Sequence, residues 1–433
     1  MIYDIGILGG GPAGYAAAFE AVKNNMKVVL FEADKLGGTC LNRGCVPTKF
    51  LKHSADLYRE SASSERYGIF NKGIDLKYDI TMSEMNNVIK KLREGLECDL
   101  AYKNVNIVRG YAEIVNENII KCEDILYEVN NVLIATGSKV DTSIIGNSIT
   151  SDDVLALKKI PKKVKIIGGG VIAVEYANIF NKFGSDVTIA IRGERILRKW
   201  DRELAVSVTQ VLKSNGIKIK TKCQMNDFLA DDNDYLISAV GRKPRIDGIG
   251  NLNLEVDLNG AIIVDSEGRT NLDNIYAAGD VISNSNMLAH TAMEQGRRAV
   301  SFIAGKDAGE ASAVANCIYI SPEVASIGMT EAEAKEQHID VVTGKQNMIS
   351  NAMTLIYTDK RSFVKVVADR KNNRIIGAQI MCERASDIAG AFVVAINNKL
   401  TVKEFKKTVF PHPSFSEAIF DALNSLEEKI NEY

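Results

Sequence analysis

Two stretches of this 433-residue chain repeat the same order of residue types, and together they constrain the fold more than any other feature. Ile2 to Leu8 reads as a buried parallel strand. Gly9-Gly10-Gly11-Pro12-Ala13-Gly14 follows as a turn, Tyr15 to Asn24 as an Ala-rich helix, and Lys27 to Phe31 as a second strand that ends on Glu32. Glycines 9, 11 and 14 have the G-x-G-x-x-G spacing, which lets backbone N–H groups at a helix N-terminus approach a pyrophosphate, while Glu32 can accept from a ribose hydroxyl. A bare glycine match is weak, but here strand, helix, second strand and terminal acid agree.

The second unit has a strand at Val164 to Ile167, a turn at Gly168-Gly169-Gly170, a helix from Val171 to Phe183 and a strand from Val187 to Ile191. Gly168, Gly170, Val171 and Ile172 are the expected pyrophosphate contacts, and Ala173 takes the third glycine position. This unit ends in Arg192-Gly193-Glu194-Arg195, with Arg198 close behind, where an enzyme using NAD would carry an acid. A guanidinium there can grip the 2′-phosphate of NADP. The competing reading is a solvated basic loop paired with Glu194, Asp201 and Glu203.

Two dinucleotide sites in one polypeptide imply electron transfer between dinucleotides. Asn131 to Gly137, which carries Ala135-Thr136-Gly137, and Asn274 to Asp280 each read as a buried strand ending in a glycine turn. Asp280, after Gly279, is a candidate acceptor for the ribityl hydroxyls of a flavin. Directly after the first unit, Cys40 and Cys45 stand with four residues between them in Gly38-Thr39-Cys40-Leu41-Asn42-Arg43-Gly44-Cys45-Val46-Pro47. A dithiol exchanging electrons with a flavin needs one depressed thiol pKa, and Pro47 in a first helical turn would set Cys45 at a positive helix end. A zinc half-site wants two intervening residues and a second pair, which the other five cysteines do not form.

Composition narrows the class. Lys plus Arg (53) nearly balance Asp plus Glu (55), so nothing points to a nucleic-acid partner or a polybasic anchor. The apolar stretches, Val164 to Phe180 among them, are interrupted before membrane-spanning length. Scattered cysteines and the lack of a visible targeting segment fit reducing cytoplasm.

The segment Gly37 to Lys49 resembles the redox-active motif of the flavoprotein disulfide reductases that include dihydrolipoamide dehydrogenase and glutathione reductase. The likeness extends over essentially the whole chain, through both nucleotide units, Ala135-Thr136-Gly137, Gly241-Arg242-Lys243-Pro244, Tyr276-Ala277-Ala278-Gly279-Asp280 and His412-Pro413-Ser414-Phe415-Ser416-Glu417. Gly11 to Tyr15, Leu41-Asn42, Leu288-Ala289-His290 and Ser321 to Gly328 look like dihydrolipoamide dehydrogenase. Ala173-Val174-Glu175 and the Arg192 and Arg198 pair look like glutathione reductase.

The resemblance implies an FAD enzyme, with NADP(H) favoured over NAD(H), acting on a small disulfide or dithiol. By it, Cys45 is the flavin-proximal sulfur and Cys40 the exchanging one. Lys49 and Glu175 meet near the flavin, His290 lies beside it, and Gly241 borders the nicotinamide site. His412, oriented by Glu417, serves the dithiol of a partner subunit as proton carrier, so a homodimer is needed. The His412-Pro413 bond is a candidate cis peptide. A glutathione-reductase-type enzyme and a recycling subunit docked to a lipoyl-bearing complex remain as alternatives.

The expected fold is α/β, with two Rossmann-like domains and a C-terminal α+β dimerisation domain. The boundaries read as a split flavin domain (1–150 and 265–315), an NAD(P) domain (151–264) and an interface domain (316–433). Val364 to Ala368 and Ile375 to Ile380 predict a hairpin in the last of these. The short run from Lys218 to Ala239 predicts a trimmed sheet in the second.

Overall fold

The computed structural model describes residues 1–431 except 71–72, 143–147, 225–234, 251 and 358–360. It has two compact units, Met1–Leu51 with Lys77–Lys159 and Gly241–Ala311, and Lys52–Leu76 with Ile160–Val240 and Ser312–Tyr433. The class is the mixed α/β one the motifs predict.

The first unit is built on one large sheet. Asn106–Arg109, Val28–Glu32, Ile2–Leu8 and Ile125–Ile134 run side by side in parallel, and Ile275–Ala277 joins the last of them, also parallel. Ile119–Cys122 and Ala112–Asn116 extend the far edge antiparallel. Ile5, Ile7, Leu30 and Leu133 are fully buried beneath helices Pro12–Lys23 and Ala289–Ile303, which meet through small residues. A Cβ at Gly296 would come within 2.3 Å of the Ala13 carbonyl, so a bulkier residue would force these helices apart. The strand ends Leu8, Glu32, Ile134 and Ala277 all point one way, which gathers the glycine turns at the carboxyl edge of the sheet, where open α/β sheets bind ligands.

The helix Pro12–Lys23 begins three residues before the expected Tyr15. Pro12 fits the first helical position because its fixed φ is helical and it has no N–H to orphan. Gly14 therefore lies inside the first turn, where a Cβ would sit 1.8 Å from the Gly9 carbonyl oxygen. Only glycine permits that approach, and Gly9 itself has φ +104°.

In the second unit, Lys218–Lys220, Asp186–Ala190, Lys163–Ile167 and Tyr235–Ser238 pair in parallel in that order, with the helix Val171–Lys182 on them. The predicted trimming of this sheet falls largely on 225–234, outside the described residues. The C-terminal part is an antiparallel sheet in the order Ala315–Ile318, Glu323–Gly328, Arg374–Cys382, Phe363–Asp369, Val341–Asn347. Helices Ala385–Asn397 and Glu417–Asn431 bury Phe392, Ile419 and Leu423 against it. The predicted hairpin is present as Phe363–Asp369 with Arg374–Cys382. Among the described residues no helix is long and apolar enough to cross a membrane.

Candidate active site

Cys40 lies on a short helix, Gly38–Arg43, and Cys45 opens the long helix Cys45–Ala62, with Gly44 as the break between them. Asn42 fixes the turn before the first helix: its Nδ2 donates to the carbonyls of Leu36 and Gly38, both at 2.9 Å, and its Oδ1 accepts from Arg93 at 3.1 Å. Arg43 pairs with Asp34. Cys45 thus stands at the positive end of an 18-residue helix, and Pro47 occupies its first turn as expected.

Cys45 is exposed and Cys40 half-buried. The Cys40 thiol is hydrogen-bonded to Cys45; that bond, then burial and the charge of Cys45, push it far up, while the Lys49 cation pulls the other way. Cys40 therefore keeps its proton longer than an ordinary thiol and ionises only if a base removes it. Tyr15 faces the same pair. Burial first, then the charges of Cys40 and Cys45, push its phenol up to about 12. Tyr15 is absent from the site residues that the sequence predicts; its one sequence signal is its place immediately after Gly14.

The remaining first-unit residues ring the carboxyl edge of the sheet. Glu32 accepts from the N–H groups of Gly10 (2.9 Å, through Oε2) and Asp34 (2.8 Å, through Oε1), and each oxygen keeps a lone pair for a ribose hydroxyl. Ala135, Thr136 and Gly137 follow Ile134, and Gly279 and Asp280 follow the strand Ile275–Ala277. Gly279 is held by Gln295 through its N–H at 3.0 Å. Asp280 Oδ2 accepts from Ser138 Oγ at 2.6 Å. Leu288 caps the helix that begins with Ala289 and His290. Gly241 belongs to this first unit, where its carbonyl accepts from the Asp141 N–H.

These residues fit a flavin dinucleotide. A Cβ at Gly11 would meet only Gly38 Cα, at 3.7 Å, so two glycines face each other across a slot without side chains. The N-caps Gly11 and Leu288 leave two helix N-termini without side-chain acceptors, as an anionic ligand requires. The Thr291 hydroxyl is buried and has no protein partner among the described residues.

In the second unit, Gly170 caps Val171–Lys182 without a side-chain bond, so the N–H groups around Val171 and Ile172 are again open to a phosphate. The loop after Asp186–Ala190 folds back on this turn, with Leu197 N–H bonded to the Gly169 carbonyl at 2.7 Å. Arg195 braces the loop from within through the carbonyls of Leu197 (2.9 Å) and Arg198 (2.8 Å). Arg192 and Arg198 are exposed. The acids near enough in sequence to neutralise them are taken elsewhere: Glu194 by Lys222, Asp201 by Lys365, Glu203 by Lys345 and Arg361. Glu175 is buried and accepts from Tyr319 N–H at 2.9 Å.

At the C-terminus, His412 Nδ1 lies 2.6 Å from Glu417 Oε1, and Ser414 N–H donates to Glu417 Oε2 at 2.8 Å. The Ser414 bond first, then His412, hold the Glu417 carboxyl below its usual range. An ionised carboxylate only accepts, so Nδ1 carries the hydrogen and Nε2 is left to take a proton. The His412-Pro413 bond is cis.

The family of pyridine nucleotide-disulphide oxidoreductases matches residues 3–296, and its dimerisation domain matches 314–423. The chain is 32% identical to a dihydrolipoyl dehydrogenase of Bacillus subtilis, covering 99% of this chain and 98% of that protein. It is also 32% identical to the dihydrolipoyl dehydrogenase of Mycoplasma pneumoniae, covering 97% and 98%. Among solved structures it resembles the HOCl-induced flavoprotein disulfide reductase RclA from Escherichia coli, with TM-score 0.85 and 25% identity over 98% of this chain and 99% of that one. LpdA from Mycobacterium tuberculosis shares the fold with TM-score 0.90 at 23% identity, over 97% and 98%. The chain belongs to the pyridine nucleotide-disulphide oxidoreductase family and is an FAD-dependent enzyme that exchanges electrons between a nicotinamide dinucleotide and a disulfide.

Proposed function

We propose that this enzyme is a dihydrolipoyl-dehydrogenase-like disulfide oxidoreductase in which Cys40 and Cys45 are the redox-active pair. The observation that carries this reading is the Cys40–Cys45 thiol contact at a helix N-terminus, with Lys49 one turn further on. Bound FAD would supply the two-electron link between the nicotinamide and the disulfide. Gly9, Gly11, Gly14, Glu32, Gly38, Thr39, Gly137, Asp280 and the start of the Ala289–Ile303 helix would hold it.

Cys45, at the positive helix end, is the sulfur better able to carry negative charge, and Cys40 is the one that needs a base. In disulfide reduction, His412 of a partner subunit takes the Cys40 proton and the Cys40 thiolate attacks the substrate disulfide, expelling one thiolate, which His412 protonates. Cys45 thiolate then attacks the Cys40 sulfur, expels the second half of the substrate as a thiolate and closes the Cys40–Cys45 bridge. Oxidation of a dithiol runs the same exchange backwards. Lys49 supplies a cation beside the pair, and Glu175 is assigned to the same function on family resemblance alone.

The division into a flavin domain (1–150 and 265–315), an NAD(P) domain (151–264) and an interface domain (316–433) belongs to this reading, as do a homodimer, a cytoplasmic setting and recycling of a lipoyl-bearing partner. Freedom of Arg192 and Arg198 from carboxylate partners among the described residues favours NADP(H) as the nicotinamide, the feature that supports the second reading, a glutathione-reductase-type enzyme. A steady-state screen of lipoamide, glutathione, cystine and coenzyme A disulfides with both nicotinamides tests both. Turnover confined to lipoamide supports the first; a preference for glutathione overturns it. Cys40→Ser should keep bound flavin and lose disulfide turnover at least ~10³-fold, and retained turnover would exclude Cys40 as the exchanging sulfur.

A further inference from the structure

The arginine of Gly241-Arg242-Lys243-Pro244 has no part in the scheme above, yet its side chain is largely buried in the first unit. Arg242 Nε donates to Ser138 Oγ at 2.8 Å, and Ser138 Oγ lies 2.6 Å from Asp280 Oδ2. A guanidinium only donates and an ionised carboxylate only accepts. The hydroxyl hydrogen must therefore point to Asp280, and the chain of bonds has one direction, from Arg242 through Ser138 to Asp280. Arg242 Nη2 also donates to the Ser138 carbonyl at 2.9 Å and reaches Thr39 Oγ1 at 3.4 Å.

The scaffold fixes both ends. Ser138–Val140 and Arg242–Pro244 pair as an antiparallel ribbon, and Arg245 N–H closes it on the Gly137 carbonyl at 2.8 Å. The Asp280 segment does not depend on this network for its backbone, because Gln295 holds Gly279 N–H. The Ser138 hydroxyl, held by Arg242, acts on the carboxylate, occupying Oδ2 and leaving Oδ1 for a ligand.

We propose that Arg242, acting through Ser138, is a positioning residue that fixes Asp280 for the flavin's ribityl hydroxyls. This rests on Asp280 being a flavin ligand, and the test separates the two. FAD release from the holoenzyme is followed by flavin fluorescence after dilution for wild type, Ser138→Ala, Arg242→Met, Arg242→Lys, Asp280→Asn and the doubles with Asp280→Asn. A hydrogen bond to a charged group predicts release about tenfold faster in Ser138→Ala and Arg242→Met, and a rate between these and wild type in Arg242→Lys, which keeps a cationic donor. In the Asp280→Asn background neither substitution should add more than about twofold. Unchanged release in Ser138→Ala and Arg242→Met, no recovery in Arg242→Lys, or the full increase persisting without the Asp280 carboxylate overturns the positioning role. Unchanged release in Asp280→Asn alone overturns the ligand assignment beneath it.

Discussion

His412 and Glu417 are five residues apart, and their 2.6 Å contact sets how the imidazole can work. Glu417 is held ionised by Ser414 N–H and by His412 itself, so it keeps the hydrogen on Nδ1 and fixes the ring's orientation. Replacing Glu417 with Gln removes that charge and the carboxylate acceptor that orients the ring. Glu417→Gln should then lose roughly tenfold in kcat, whereas His412→Gln should lose about 10²-fold or more. Steady-state rates decide this; an unchanged kcat in Glu417→Gln would show that the carboxylate does not position the ring. The pair was legible in the sequence because a His-Pro frame followed by Ser-Glu is a local pattern. The Cys40–Cys45 pair was legible for the same reason. Tyr15 was not, since nothing in its local context says that a helix starting at Pro12 turns that phenol toward the dithiol.

At the level of elements, two helices begin at similar glycine turns with different residues at the third position. Gly14 cannot gain a side chain, because its Cβ would overlap the Gly9 carbonyl at 1.8 Å, while Ala173 is fully buried in the corresponding turn. Gly14→Ala should therefore displace the first glycine turn and cut flavin content after purification at least tenfold, whereas Ala173→Gly should cost under ~1 kcal/mol of stability. Full flavin occupancy in Gly14→Ala, by absorbance ratio, would remove the close-approach argument. The arginines of the loop after the second unit divide the work, Arg195 holding the loop's own carbonyls while Arg192 and Arg198 face solvent. Neutralising Arg192 and Arg198 to Gln should raise KM for NADPH by about 10- to 100-fold and leave KM for NADH nearly unchanged; equal losses would refute a 2′-phosphate role. Glycine spacing and strand periodicity carry this much because they are local. The Arg242–Ser138–Asp280 chain joins positions 104 and 142 residues apart, and only the pairing of two short strands reveals it.

Across the second unit as a whole, the least local feature is a half-buried charge cluster drawn from distant parts of the chain. Lys52 and Asp56 come from one helix and Lys182 from another, while Glu323 and Glu383 stand at strand ends. Lys52 pairs with Asp56 at 2.8 Å and lies 3.8 Å from Glu323; Lys182 pairs with Asp56 and donates to Ser321 at 2.6 Å; Ser386 Oγ donates to Glu323 at 2.6 Å. Burial works against the Lys52 charge, but Asp56, Glu323 and Glu383 outweigh it and hold its pKa up. Two cations already balance Asp56 and Glu323, so an ionised Glu383 would be a third anion in the cluster without a counter-charge of its own. Burial, only partly offset by Lys52 and Lys182, pushes the Glu383 carboxyl up to about 7. With the folded value above the unfolded one, the stability Glu383 contributes is complete below about pH 4.5 and is lost as pH rises to about 7. The loss approaches ~3 kcal/mol. Glu383→Gln keeps the neutral shape at every pH. The difference in unfolding midpoint between Glu383→Gln and wild type, taken at fixed protein and FAD concentration, should widen in favour of the variant from pH 5 to pH 8 and then level off. A difference that stays constant over that range would mean that Glu383 is already ionised in the folded protein and that the cluster holds three anions on two cations.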